Sequence, residues 1–213
     1  MTDLIVYLKA PIPGSVKTRL QTRYSPAAAA QLYRAFIQDT FDTASRIDVD
    51  RRYAAIDGPM SETEGLVPSG WNLVAQEGAD LGERMRHSLN SSLNSGATKA
   101  ILIGTDIPSL PPAHLVSAYS RLNDNDVVLG PTSDGGFYLI GARIELPDIF
   151  ATVTCSSEHA FEQTADGIRN HGHMLGLIPP WNDIDTPEDL DAVLNTDVDG
   201  LPHTRRAIRE LTS

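Results

Sequence analysis

Leu4-Ile5-Val6-Tyr7-Leu8 runs directly into Lys9-Ala10-Pro11-Ile12-Pro13-Gly14-Ser15-Val16-Lys17-Thr18-Arg19, and Ser25-Pro26 follows six residues on. The first five residues form a short apolar run, consistent with a strand buried on both faces. Two prolines and a glycine then exclude helix and regular strand from the loop. Ser25-Pro26 reads as a helix N-cap and first helical residue. From it Ala29, Leu32, Phe36, Ile37, Phe41 and Ala44 recur at helical spacing to about Arg46. The unit is strand, loop, helix.

The same order recurs down the chain. Arg51 to Ile56 is a strand candidate closed by Asp57-Gly58-Pro59, and Trp71 to Ala75 is a shorter one. Leu81 to Leu93 reads as helix, with Met85, Leu89 and Leu93 on one face, and Lys99 to Gly104 is the clearest central strand. Pro111-Pro112 opens a helix bearing Leu115, Ala118, Tyr119 and Leu122. Asp126 to Leu129 and Phe137 to Ile140 read as strands around the loop Gly130 to Gly136. A helix near Ser157 to Arg169 precedes a strand at His173 to Ile178. Thr186-Pro187-Glu188 starts a helix to Leu194, and a last helix is expected near Thr204 to Leu211. Strands alternating with helices predict a three-layer α/β fold, a mainly parallel sheet flanked by helices, with residues 1–213 as one domain.

Ligands in such open sheets bind beyond the carboxyl ends of the strands. Four unusual groups follow strands: Lys9 to Arg19, Thr105-Asp106, Asp134-Gly135-Gly136 and Asp183-Ile184-Asp185. All four are therefore expected on one edge of the sheet.

Composition limits what that edge can bind. The chain carries 17 basic and 28 acidic residues, a net charge of −11 with histidine neutral. Such a surface repels polyanions, so nucleic acid is not an expected partner, while a single phosphate group needs only a local positive pocket. No stretch approaches the ~20 apolar residues of a membrane span, and the apolar run Leu4 to Leu8 is short for a signal segment. A cytoplasmic protein without membrane association is expected. The one cysteine, Cys155, cannot form an internal disulfide and reads as a packed residue rather than a nucleophile. The six histidines form no zinc-site spacing, and no Gly-x-Ser-x-Gly elbow is present.

In the first loop Lys9, Lys17 and Arg19 gather three cations, and Gly14 lets the backbone approach a ligand. Such a loop suits a diphosphate, or it is a solvated loop with incidental charges. It matches neither the Walker A pattern nor the Gly-x-Gly-x-x-Gly dinucleotide fingerprint. Asp106, at the end of the central strand, fits either a hard divalent cation or a cap on the Ile107-Pro108 turn. Asp185 or Thr186 fits the N-cap of the helix opened by Pro187, and only one of Asp183 and Asp185 is expected to face the cleft. Asp134-Gly135-Gly136 is turn chemistry, with Asp134 also a candidate acid on the acceptor or metal side. Arg84 opposes the dipole of its own helix, which points to an anion or an acidic partner.

Five segments in this order resemble a known pattern: Lys-Ala-Pro-x-Pro-Gly-x-Val-Lys-Thr-Arg-Leu (9–20), Asp-Leu-Gly-Glu-Arg-Met (80–85), Gly-Thr-Asp-Ile-Pro (104–108), Gly-Pro-x-x-Asp-Gly-Gly-Phe-Tyr-Leu-Ile-Gly (130–141) and Asp-Ile-Asp-Thr-Pro-Glu-Asp-Leu (183–190). The pattern is that of a bacterial glycosyltransferase-A-like family, the radical-SAM/selenodomain-associated or arsenosugar-biosynthesis type. Residues 17–20 and 185–190 also resemble 2-phospholactate guanylyltransferase. The resemblance covers about residues 3–192 and implies the nucleotide-diphospho-sugar transferase fold (GT-A, Rossmann-like).

By that resemblance Asp106 and Asp185 are the ligands of Mg²⁺ or Mn²⁺. Lys9, Gly14, Lys17 and Arg19 hold the donor phosphates, with Arg84 a further anion-side candidate. Gln76 and Gly82 fall in the nucleobase-reading segment, and Gly135 and Gly136 lie on the acceptor side with Asp134 as the acid. The expected activity is glycosyl transfer from a nucleotide-sugar to a small-molecule acceptor. Nucleotidyl transfer onto a small phosphorylated substrate is the alternative, and a catalytically inactive nucleotide-binding protein a third. Two departures stand out. Cys155-Ser156-Ser157 replaces a Trp-Ser-Thr-like stretch on the acceptor side, and the first loop lacks the Gly-x-x-x-Arg-Met signature of the nucleotidyltransferases.

Overall fold

The computed structural model describes residues 1–155, 157–196 and 201–212. Strand β1 (Thr2–Lys9) shows why the first apolar run decides the fold. Leu4, Val6 and Leu8 belong to one apolar core, while Ile5 and Tyr7 belong to another. Both faces of the strand are thus covered, the period-two division of a central strand. Strand β4 (Lys99–Gly104) divides in the same way, Ile101 and Ile103 to the first core and Ala100 and Leu102 to the second.

Helices α1 (Pro26–Ser45), α3 (Pro112–Arg121), α5 (Pro187–Asn195) and α6 (Pro202–Thr212) supply the first core. Helices α2 (Leu81–Asn94) and α4 (Ala160–Asn170) supply the second. The layers are helix, sheet, helix. Ser25 caps α1 by accepting the Ala28 N–H at 3.2 Å, and Pro26 stands at its first turn, as the sequence predicts.

The remaining strands are β2 (Arg51–Asp57), β3 (Asn72–Ala75), β5 (Val127–Pro131), β6 (Phe137–Ala142) and β7 (Leu175–Leu177). The sheet order is β3-β2-β1-β4-β6-β5-β7. Four pairings are parallel, and the two made by β6 are antiparallel. The link from β5 to β6 is Thr132–Gly136, far too short for a parallel crossover, so the two strands form a hairpin. Because β6 is antiparallel to both neighbours, β5 runs with β1 and β4. The hairpin loop therefore lies on the same edge as Lys9 and Asp106, and the segment after β7 joins them there.

The sequence boundaries shift in three places. The strand expected over His173 to Ile178 is the three residues of β7, and α4 begins at Ala160 rather than near Ser157. Trp71 precedes β3 and packs edge-on to Phe41, with ring centroids 4.7 Å apart. Among the described residues no helix is long and apolar enough to cross a membrane.

Candidate functional site at the carboxyl edge of the sheet

Lys17 organises the site. Its backbone is left-handed (φ 46°), and among the described residues it is the only non-glycine with positive φ. The side chain is 5% exposed. Its Nζ lies 2.7 Å from Asp106 Oδ1, 2.9 Å from Asp185 Oδ1 and 2.7 Å from the Ile184 carbonyl oxygen. The three donors of the ammonium thus have three acceptors. Burial alone would lower the Lys17 pKa, but the charges of Asp106 and Asp185 outweigh it and hold it above the ordinary value.

Asp185 is fixed from both sides. Its Oδ2 accepts from Arg19 Nη1 at 3.2 Å, while its own N–H donates to Asp189 Oδ2 at 3.2 Å. Capping α5 falls to Thr186, which forms a reciprocal capping box with Asp189. Asp185 is thereby free to face the cleft. Burial pulls its carboxyl upward, but Lys17 and Arg19 bring it below the ordinary value.

Asp183 corrects an expectation. Both Asp183 and Asp185 line the cleft, since residues two apart share a face of an extended segment, and Ile184 between them is fully buried. Burial, together with Asp185, Asp134 and Asp106, pushes the Asp183 carboxyl up to about 6. Three carboxylates thus act on Asp183, and two of them, Asp106 and Asp185, share one buried ammonium.

The cleft has a volume of about 800 Å³ and is lined by Lys9, Arg19, Gln76, Arg84 and Gly136 as well as by Lys17 and these acids. Arg84 pairs with Asp57 at 3.2 Å and donates to the Gly78 carbonyl, so the dipole argument located a real acid partner. The Gln76 amide donates to the Ala55 carbonyl at 3.0 Å, which fixes the side chain to the end of β2. Asp134 Oδ1 accepts from Thr132 Oγ1 and from Gly136 N–H, so its turn-forming role is real and occupies one of its two oxygens.

Gly14, Gly82 and Gly135 are not brought into the cleft wall. Gly82 serves packing: a Cβ there would stand 2.7 Å from Phe150 Cβ. Gly135 has φ 87°, and a Cβ would meet the Glu158 carbonyl oxygen at 1.8 Å, so it seats the hairpin loop against the segment before α4. Of the departing segment Cys155-Ser156-Ser157, Ser156 lies outside the described residues. Cys155 lines the cleft half-buried, its thiol pushed up by burial and by Asp80.

Sequence reasoning missed Tyr33. From α1 its hydroxyl accepts the Lys9 N–H at 3.0 Å and lies 2.8 Å from Thr105 Oγ1, joining the exits of β1 and β4. A tyrosine on a core-facing helix stripe carries no signal of that task. A second acid group, Asp39, Asp42 and His203, lies between α1 and α6. Asp39 accepts from His203 N, Thr204 N and Thr204 Oγ1, and His203 Nε2 lies 3.2 Å from Asp42, so these groups join α6 to α1.

Among the described residues the group of three acid or histidine ligand atoms lying within 4.8 Å of one another is Asp39, Asp42 and His203, outside the cleft, whereas the cleft acids match a divalent cation by donor type. Asp106, Asp183, Asp185 and Asp134 offer only carboxylate oxygens, the donors preferred by Mg²⁺ and Mn²⁺. Against them stand Lys17 and Arg19, which leaves the cluster short of positive charge.

A protein from Desulfovibrio desulfuricans G20, described as a "putative nucleotide-diphospho-sugar transferase", has 31% sequence identity and a TM-score of 0.90, over 98% of this chain and 94% of that one. More distant structures share the fold. CMP:2-keto-3-deoxy-manno-octonic acid synthetase, solved with CTP, is 13% identical with a TM-score of 0.58, over 90% of this chain and 96% of that one. Rv0371c of Mycobacterium tuberculosis H37Rv, solved with manganese, is 17% identical with a TM-score of 0.53, over 92% of this chain and 98% of that one. No curated protein matches the chain. The fold is that of the nucleotide-diphospho-sugar transferases. A family model described as "Uncharacterized protein conserved in bacteria (DUF2064)" matches residues 39–157, more than half of the length, and the chain belongs to that family.

Proposed function

We propose that the chain is a metal-dependent transferase that takes a nucleotide-diphosphate sugar as donor and passes the sugar to a small acceptor. The observation that carries this reading is the meeting of Asp106 and Asp185 on one buried ammonium, Lys17 Nζ. Carboxylates from two strand ends, with Lys9 and Arg19 on the same cleft, form the charge pattern that a cation-bridged diphosphate requires. The 31% identical relative supports a nucleotide-diphospho-sugar as the donor class.

In the proposed reaction the acceptor hydroxyl oxygen forms a bond to the anomeric carbon. The bond from that carbon to the diphosphate oxygen breaks, and the nucleoside diphosphate leaves with the electron pair. Lys9, Lys17 and Arg19 bind the phosphates and balance the charge growing on the leaving oxygen. Asp106 and Asp185 would hold Mg²⁺ or Mn²⁺, which when bound withdraws negative charge from the same diphosphate. The second oxygen of Asp134 receives the acceptor proton. Gln76 borders the nucleobase region and Gly136 the acceptor side, with Gly82 and Gly135 acting from behind the wall through packing. The resemblance to the arsenosugar-biosynthesis type favours glycosyl transfer.

One observation favours nucleotidyl transfer instead. Asp134 Oδ1 is already engaged by its own turn, and a phosphate nucleophile arrives ionised and needs no base. Product analysis separates the two readings: a nucleoside diphosphate marks sugar transfer, and pyrophosphate from a nucleoside triphosphate marks nucleotidyl transfer. A thermal-shift panel of nucleotides and nucleotide-sugars with Mn²⁺ tests both. A ligand at 100 times its dissociation constant stabilises by ~2.7 kcal/mol. No shift with any of them overturns the enzyme reading.

A further inference from the structure

The contacts of Lys17 have a consequence for how the site is loaded, and the inference rests on the metal-dependent reading above. An ammonium has three donors, and here all three are engaged, two of them by Asp106 Oδ1 and Asp185 Oδ1. These are the two acids that would hold the cation. A second cation on the same two oxygens would meet the buried ammonium at close range, where like charges repel, although Asp106 and Asp185 themselves are partly exposed.

The backbone at Lys17 is unusual. The left-handed conformation at Lys17 is one that side-chain-bearing residues avoid, and no side-chain cap supports the following 3-10 turn (Thr18–Thr22). Gly14, three residues earlier, has φ 85° and open space where a Cβ would stand. Val16 and Leu20 on either side are buried in the first core and the Lys17 carbonyl accepts the Leu20 N–H at 3.0 Å, so the segment stays anchored and release needs only the Lys17 side chain to move.

We propose that Lys17 is a built-in placeholder for the divalent cation. In the free protein its ammonium occupies the Asp106–Asp185 pair and keeps the two strand ends together. It must leave that pair before a metal is held there, and the phosphates of the incoming nucleotide give it somewhere to go. Nucleotide and metal binding are then coupled through one side chain, and the free protein takes up metal weakly.

The test is a calorimetric titration of Mn²⁺ into the chain alone, for the wild type, Lys17→Met and Lys9→Met. The Lys9 variant removes a cation from the same cleft but no contact to either aspartate. Lys17→Met should bind Mn²⁺ at least about fivefold tighter than wild type, the lower end of ordinary coupling between sites, and Lys9→Met should change the affinity far less. Equal or weaker binding by Lys17→Met overturns the placeholder and leaves the metal reading standing. Failure of every protein to bind Mn²⁺, with or without a nucleoside diphosphate, overturns both.

A second measurement needs no variant. In the wild type, acetylation of Lys17 by acetic anhydride, read by mass spectrometry, should be slow in the free chain and rise on addition of Mn²⁺ alone. Unchanged protection at saturating Mn²⁺ contradicts the proposal, because the ammonium would then have stayed in place.

Discussion

At the amino edge of the sheet Asp3 and Asp126 each have an arginine of their own, whereas at the carboxyl edge Asp106 and Asp185 share one buried lysine. Asp3, fully buried at the start of β1, receives Arg51 Nε at 2.8 Å and Nη2 at 2.6 Å. Arg51 also donates to the carbonyls of Ser92 and Ser95. Asp126, just before β5, receives Arg143 Nε and Nη2 at 3.2 and 3.0 Å and the Met174 N–H at 2.9 Å. The Arg51 fork meets both oxygens of Asp3, the planar geometry that makes arginine the better partner, while both Arg143 donors converge on Asp126 Oδ1. The carboxyl edge pairs Asp57 with Arg84, but at its centre a lysine, a point charge, is shared between Asp106 and Asp185, with Arg19 on Asp185, and Asp183 is left among like charges. At the amino edge the paired acids are satisfied by the protein itself; at the carboxyl edge Asp183 is not, and the proposed function assigns the missing positive charge to a ligand.

The contrast can be broken first at the amino edge. Asp3→Ala leaves Arg51 without its fork and should cost about 3 kcal/mol of stability in urea unfolding, with nucleotide affinity of the folded fraction unchanged. A stability loss below about 1 kcal/mol would show that the pair is replaceable, as exposed ion pairs are. At the carboxyl edge the expectation reverses. Asp106→Ala should lower Mn²⁺-dependent nucleotide affinity about 100-fold, or ~2.7 kcal/mol, while the unfolding midpoint falls less than in Asp3→Ala, because Asp185 and the Ile184 carbonyl still hold the Lys17 ammonium. Unchanged affinity would return Asp106 to a turn-capping role.

A smaller effect sharpens the same division. Thr186→Ala removes one half of the capping box that starts α5 and should cost about 1 kcal/mol. Because Asp185 also bonds to Asp189, a modest loss of nucleotide affinity should accompany it; none would mean that the cap and the site are independent. The smallest effect is in the acid limb. The Met174 N–H, against some burial and with help from Arg143, holds the Asp126 carboxyl below its ordinary value of 3.8. Its stabilisation is therefore complete above that value and is lost as pH falls through the lower folded-state pKa. Asp126→Asn should flatten the fall in urea midpoint below about pH 4. An identical acid limb in both proteins would assign the loss to other carboxylates.

Much of this was legible in the sequence because it is local. Ser25-Pro26 marked α1, Asp80 marked the start of α2, and the apolar runs of β1 and β4 marked the sheet centre. The rule that ligands lie past strand ends then put the four special groups on one edge. What was hidden depended on distance along the chain. Lys17 reads as a phosphate-binding or solvated loop lysine, and nothing nearby in the chain shows that it is held by Asp185, 168 residues away. The antiparallel course of β6 follows from a five-residue loop that the sequence displays but that the alternating pattern masks. The shared direction of Asp183 and Asp185 follows from the burial of Ile184, which only the packed structure reveals.

The most direct test of the central claim is a thermal-shift comparison of the wild type and Asp106→Ala, with a panel of nucleoside diphosphates and nucleotide-sugars, with and without Mn²⁺. The account predicts that at least one compound raises the wild-type melting temperature only when Mn²⁺ is present, and that the variant, still folded, gives no such shift. A variant that responds to nucleotide and Mn²⁺ just as the wild type does would contradict it.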